Sequence, residues 1–85
     1  MNNDDRTKLI DHTLELLSKA RANRRGRNRD GEMSMSYLMD ELRYRGWRLT
    51  NSAEMENVFE ALGFTTRRVF DKNGNIRCTL IGLEG

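Results

Sequence analysis

Apolar residues return along this chain at two periods, and the change between them divides it into a helical part and a ribbon. Leu9, Ile10, Leu14, Leu17 and Ala20 recur at helical spacing, with Leu16 widening the stripe and Thr13 inside it. Asp11, Glu15 and Lys19 occupy the outer face, and Glu15 precedes Lys19 in the favourable i, i+4 order. Asp4 or Asp5 can cap this helix, and residues 1–4 are expected to be a disordered N-terminus. His12 falls near the polar side and reads as a solvated surface histidine. Glu32-Met33-Ser34 reads as a brief strand. Ser34 then serves as N-cap of a second helix over Met35–Arg45, with Leu38 and Leu42 as its inner stripe and Met35, Tyr37 and Met39 on the flanks. Gly46 suits the position past its end. Trp47 and Leu49 are placed to plug the gap before a third helix. There Met55, Val58, Phe59 and Leu62 fall at i, i+3, i+4 and i+7, Thr50, Asn51 and Ser52 are candidate N-caps, and Asn51 with Glu54 resembles a capping box.

Beyond Gly63 the pattern changes to β-branched and apolar residues in two runs, Thr65–Phe70 and Ile76–Leu83, around the tip Asp71-Lys72-Asn73-Gly74-Asn75. Asn73-Gly74 supplies the positive-φ residues of a tight hairpin turn. Two registers are open. A two-residue turn sets Val69 opposite Cys78 and Phe70 opposite Arg77, with Arg68, Phe70, Lys72 and Arg77 on the outer face. A type I turn over Lys72-Asn73-Gly74 with a glycine bulge sets Phe70 opposite Ile76 and Val69 opposite Arg77, with Arg67, Val69 and Arg77 outward. In both, Ile76, Cys78 and Leu80 share the face expected to pack on the helices. The D-K-N-G-N fragment does not match a calcium loop: its glycine comes two residues early and no glutamate follows at the required distance.

Eighty-five residues suit one small domain, 1–85, with a modest core. No apolar run is long enough to span a bilayer, and the polar, acidic start Met1–Asp5 has no leader-like stretch. The single Cys78 excludes an internal disulfide and a cysteine-based zinc finger, and it reads as a buried structural thiol. With one histidine and one cysteine, no protein-only metal site is expected, and no cofactor is implied. No nucleophile with a neighbouring base appears, so no enzyme is expected. A reducing, cytoplasmic setting fits, nucleoid-associated if the source is prokaryotic. The net charge of +2 is uneven: residues 21–30 carry +4 and 67–85 carry +2, against −1 over 1–20 and −3 over 31–66. The segment 21–31 reads as an arginine-rich loop. Its Arg21, Arg24, Arg25, Arg27 and Arg29 match phosphate oxygens through their forked donors.

The order helix, short strand, helix, tight turn, helix, hairpin resembles the winged helix-turn-helix superfamily. Met33-Ser34 before Leu38 and Leu42, the turn Arg45-Gly46-Trp47, the helix Met55–Leu62, Gly63-Phe64, and Arg67–Leu80 as the wing carry the resemblance. It covers roughly residues 5–83. It implies an α+β fold and a double-stranded DNA partner, with the third helix in the major groove and the wing near the minor groove or backbone. Arg21, Arg24, Arg25, Arg27, Arg29, Arg67, Arg68, Lys72 and Arg77 would meet phosphates, and Asn51, Ser52 and Asn57 would read bases. The function so implied is a transcriptional regulator or accessory factor of a phage, plasmid or prokaryotic genome. Glu54, Glu56 and Glu60 depart from the pattern, since carboxylates on a recognition helix repel phosphate. Two alternatives therefore stay open: a protein partner at that acidic face, and RNA binding through the arginine-rich loop. A homodimer through the first helix is also left open by Leu16.

Overall fold

The computed structural model describes residues 2–22 and 28–83. In chain order the elements are α1 (Asn3–Ser18), β1 (Met33–Ser34), α2 (Met35–Tyr44), α3 (Ser52–Ala61), β2 (Phe64–Phe70) and β3 (Ile76–Leu83). The strands form one antiparallel sheet in the order β1-β3-β2. The fold class is therefore α+β, as the sequence pattern implies. None of the helices among the described residues is long and apolar enough to cross a membrane.

Local chemistry accounts for most element ends. The Asn2 side chain accepts from the Asp5 N–H at 2.8 Å, satisfying one orphan donor of α1. Capping thus falls to Asn2 and not to Asp4 or Asp5, and the helix begins inside the segment 1–4. Asn51 caps α3 as expected, accepting from the Glu54 N–H at 2.9 Å. Ser34 stands at the N-cap of α2 with extended backbone, but its hydroxyl makes no capping bond. Its backbone instead pairs with Leu80 in the sheet. At the far end of α2, the N–H groups of Gly46 and Trp47 donate to the carbonyls of Arg43 and Leu42 at 2.9 and 3.0 Å. These bonds close the helix and aim Trp47 back at the body.

The core joins all three helices to the sheet. Leu9, Leu16 and Leu17 of α1 meet Leu38 and Leu42 of α2, Met55 and Phe59 of α3, and Phe64 and Ile81 of the strands. Phe59 and Phe64 pack edge to face with centroids 6.1 Å apart. Trp47, Leu49, Val58 and Leu62 are half-buried against this cluster, matching the expected wedge and stripe. Two expectations for α1 are corrected. Leu14 is exposed, because the buried line runs Leu9, Thr13, Leu16, Leu17, one step around the helix. His12 is not solvated: it is half-buried and its Nδ1 accepts from Trp47 Nε1–H at 2.9 Å. Arg45 donates to both carboxylate oxygens of Glu15, at 2.9 and 3.3 Å, and clamps the end of α2 to α1. The Arg45 guanidinium holds the Glu15 carboxyl below its ordinary range.

Truncation of Phe59 or Leu42 to alanine is expected to cost about 2–5 kcal/mol in urea unfolding, since both are fully buried at the meeting of helices and sheet. A near-neutral result for both would place the core elsewhere.

Candidate nucleic-acid interface

The hairpin combines features of both registers open from the sequence. The Gly74 N–H donates to the Asp71 carbonyl at 3.1 Å, and the Asp71 N–H donates to the Asn75 carbonyl at 2.9 Å. The Asp71 carboxylate accepts the N–H groups of Asn73 and Asn75 at 2.8 and 3.0 Å. Gly74 takes φ +82°, the left-handed value that a side chain would strain. This is the turn with a glycine bulge, and it sets Phe70 opposite Ile76. A second irregularity follows at once. Arg77 has no opposite residue, and Val69 faces Cys78.

That bulge reverses the expected facing of β3. Directly opposed residues share a face, so Thr79 and Ile81 lie with Arg68 and Thr66 on the side that α3 covers. Ile81 is fully buried there. Ile76 stays on that side too, beside Phe70, but beyond the helices and exposed. Cys78 and Leu80 lie on the other face, in a groove shared with Leu16, Ala20 and Met33. The expectation that Ile76, Cys78 and Leu80 share one face packed on the helices is corrected for Ile76: Leu80 is buried and Cys78 lines the same groove with Leu16 of α1, whereas alternation fails at Arg77 and leaves Ile76 exposed on the other face.

The carboxylates of α3 are mostly turned onto β2. The Thr66 hydroxyl donates to Glu60 and stands 3.4 Å from a Glu56 oxygen. Arg68 approaches Glu56 at 3.7 Å, and Glu56 is largely buried whereas Arg68 is half exposed. On α3, Ser52, Ala53 and Asn57 remain exposed, with Glu54 the carboxylate lacking a partner among the described residues. Ala53 and Asn57 line one groove with Arg68 and Phe70.

The other sheet face carries a stronger ion pair. Arg67 Nε and Nη2 donate to the two oxygens of Glu32 at 2.8 and 2.9 Å. The Arg29 backbone N–H donates to the same carboxylate at 2.8 Å. The Arg67 guanidinium, and next the Arg29 N–H, hold the Glu32 carboxyl below its ordinary value of 4.5, against the opposing effect of burial. Gly82 makes room for this arrangement: a Cβ there would lie 2.9 Å from Glu32 Cγ. The base of the arginine-rich loop closes beside the pair. The Gly31 N–H donates to the Ala20 carbonyl at 3.0 Å, and the Ala22 N–H donates to Asp30 at 2.8 Å.

The residues expected to meet nucleic acid therefore divide. Arg24, Arg25 and Arg27 lie outside the described residues. Arg21 donates to the Ser18 and Ala20 carbonyls at 3.3 and 3.1 Å, and so serves the C-terminal end of α1. Arg67 is held by Glu32, and Asn51 spends its side-chain oxygen on the α3 cap. Lys72 and Arg77 are exposed, and their side chains form no hydrogen bond or ion pair among the described residues. Arg68 is shared between Glu56 and solvent. Exposed Arg29 stands with Arg67 and Thr65 around a pocket on the β2 side. Sequence reasoning passed over Arg48, exposed in the turn between α2 and α3, and the exposure of Phe70 with Ile76. The first has no periodic signal, and the second depends on the bulge. Among the described residues no group of three or more His, Cys, Asp or Glu side chains could hold a metal ion. No family model, curated protein or solved structure matches the chain.

Because the Glu32 pKa is depressed in the folded state, its contribution is complete above the ordinary value of 4.5 and is lost as pH falls through the lowered value. Glu32→Gln should cost about 1–3 kcal/mol near neutral pH, the range for a charge-assisted hydrogen-bonded group. In urea unfolding the gap to the parent protein should narrow below pH 4.5. An equal gap at both extremes would mean the ion pair contributes nothing.

Proposed function

We propose that this chain is a small DNA-binding protein of the winged-helix type, with α3 as the groove-reading helix and the β2–β3 hairpin as its wing. The element order and the antiparallel sheet with β3 central support that architecture. The observation that carries the functional reading is the engagement of Glu56 by Arg68 and of Glu60 by the Thr66 hydroxyl, both on β2. Carboxylates bound to Thr66 and Arg68 no longer form a free acidic stripe, and α3 offers Ser52, Ala53 and Asn57 beside the basic hairpin. An asparagine amide can both accept and donate, which is the pattern an adenine edge presents in the major groove. Arg68, Lys72 and Arg77 supply cations for the sugar-phosphate backbone beside that helix. The same engagement argues against an acidic docking face for a basic protein, since it leaves Glu54 as the unpartnered carboxylate of α3 among the described residues.

Affinity for duplex DNA should fall steeply with salt. The logarithmic slope should lie between about −3, if Arg68, Lys72 and Arg77 act alone, and about −6, if the four loop arginines from Arg24 to Arg29 join them. Replacing both Lys72 and Arg77 by alanine should reduce the slope by about 2, nearly equally on all sequences. Fluorescence anisotropy at several salt concentrations measures this. Salt-independent affinity, or an unchanged slope in the double variant, would contradict the proposal.

A further inference from the structure

The hairpin carries an apolar pair that backbone contact gives no role. Phe70 and Ile76 are directly opposed, and they are 58% and 56% exposed. Packing across the strands accounts for the sides they turn to each other, not for the larger part left in water. The bulge creates the pair: in an unbroken two-residue hairpin the residue opposite Phe70 would be Arg77, a cation. Arg68 lies two residues before Phe70 on the same face of β2, Arg77 follows Ile76, and Lys72 heads the turn. Three cations thus neighbour the two apolar side chains along the strands and the turn. Phe70 also borders the groove that holds Ala53 and Asn57 of α3.

An apolar tip flanked by cations fits a partner that is anionic outside and apolar within, and stacked bases behind a phosphate wall are such a partner. We infer that Phe70 and Ile76 are a wedge that enters the minor groove of duplex DNA, parts two stacked base pairs and kinks the helix at that step. This rests on the DNA-binding reading above and adds how the hairpin engages the duplex. The cations hold the flanking phosphates while the ring and the branched side chain replace the lost base stacking. Pyrimidine–purine steps unstack most readily, so TA and CA steps are the preferred sites, and the hairpin would then select sequence through deformability.

The test uses the whole chain and duplexes carrying 2-aminopurine at a central TA step, with end-to-end energy transfer to report bending. The parent protein should raise 2-aminopurine emission several-fold and shorten the end-to-end distance. Phe70→Thr, which keeps a strand-favouring residue at an exposed position, should abolish both signals. Its affinity should stay within about threefold, with the salt slope unchanged, because phosphate contacts dominate non-specific binding. Ile76→Thr should act in the same direction and guards against a folding defect peculiar to one variant. Salt-dependent binding by the parent with no change in emission would overturn the wedge and leave the DNA-binding reading standing, as would a Phe70→Thr variant that keeps the signal. Failure of the parent to bind duplex at low salt would overturn both. Loss of a dimer in Phe70→Thr by sedimentation, with emission unchanged, would assign the pair to self-association and overturn the wedge.

Discussion

The contact on which the rest depends is the packing of Phe59 against Phe64, which seats α3 on β2. Both side chains are buried, and their burial fixes how close helix and strand can come. Only at that spacing can the Thr66 hydroxyl reach the Glu60 carboxylate and Arg68 approach Glu56. An aromatic contact in the core therefore decides which carboxylates of α3 find a partner on β2. With the helix seated, two of its three carboxylates are engaged by the neighbouring strand. Without it, the same residues would form a bare acidic stripe.

The sheet then sorts the cations. Arg67 points away from α3 and is bound by Glu32, whose approach depends on the missing side chain at Gly82. Arg68, the next residue, points to the α3 side and keeps half its surface in water. Alternation along one strand thus assigns neighbouring arginines to different tasks, one to tie the loop base to the sheet and one to remain available. Arg21 and Arg45 are likewise occupied, by the end of α1 and by Glu15. Of the cations expected to meet nucleic acid, Lys72 and Arg77 at the hairpin tip are exposed with no ion pair among the described residues, and Arg68 keeps half its surface in water.

Element order, the three helices, the Asn51 cap and the hairpin turn were legible because each rests on local chemistry: spacing, a capping side chain, an asparagine-glycine turn. The sheet facing was not legible. One bulged residue, Arg77, reverses the alternation, and it arises where two strands negotiate their register and not from any residue type. The engagement of Glu56 and Glu60 by β2 was also out of reach. A helical stripe locates them on the polar side but cannot tell that β2 lies against that side. His12 failed for the same reason: its partner Trp47 is thirty-five residues away in the chain. Of the candidate site, Lys72, Arg77, Ser52 and Asn57 stand exposed as the pattern implied, whereas Arg67 and Arg21 are held within the structure by partners that spacing does not disclose.

The central claim is that α3 and the hairpin present one surface to duplex DNA. Amide chemical-shift mapping on titration with a short duplex tests it most directly. The account predicts that the largest changes fall on Ser52–Asn57 and on Arg68–Arg77, while the Tyr37–Tyr44 surface of α2 stays unmoved. Changes centred on that tyrosine surface, with the hairpin silent, would contradict it.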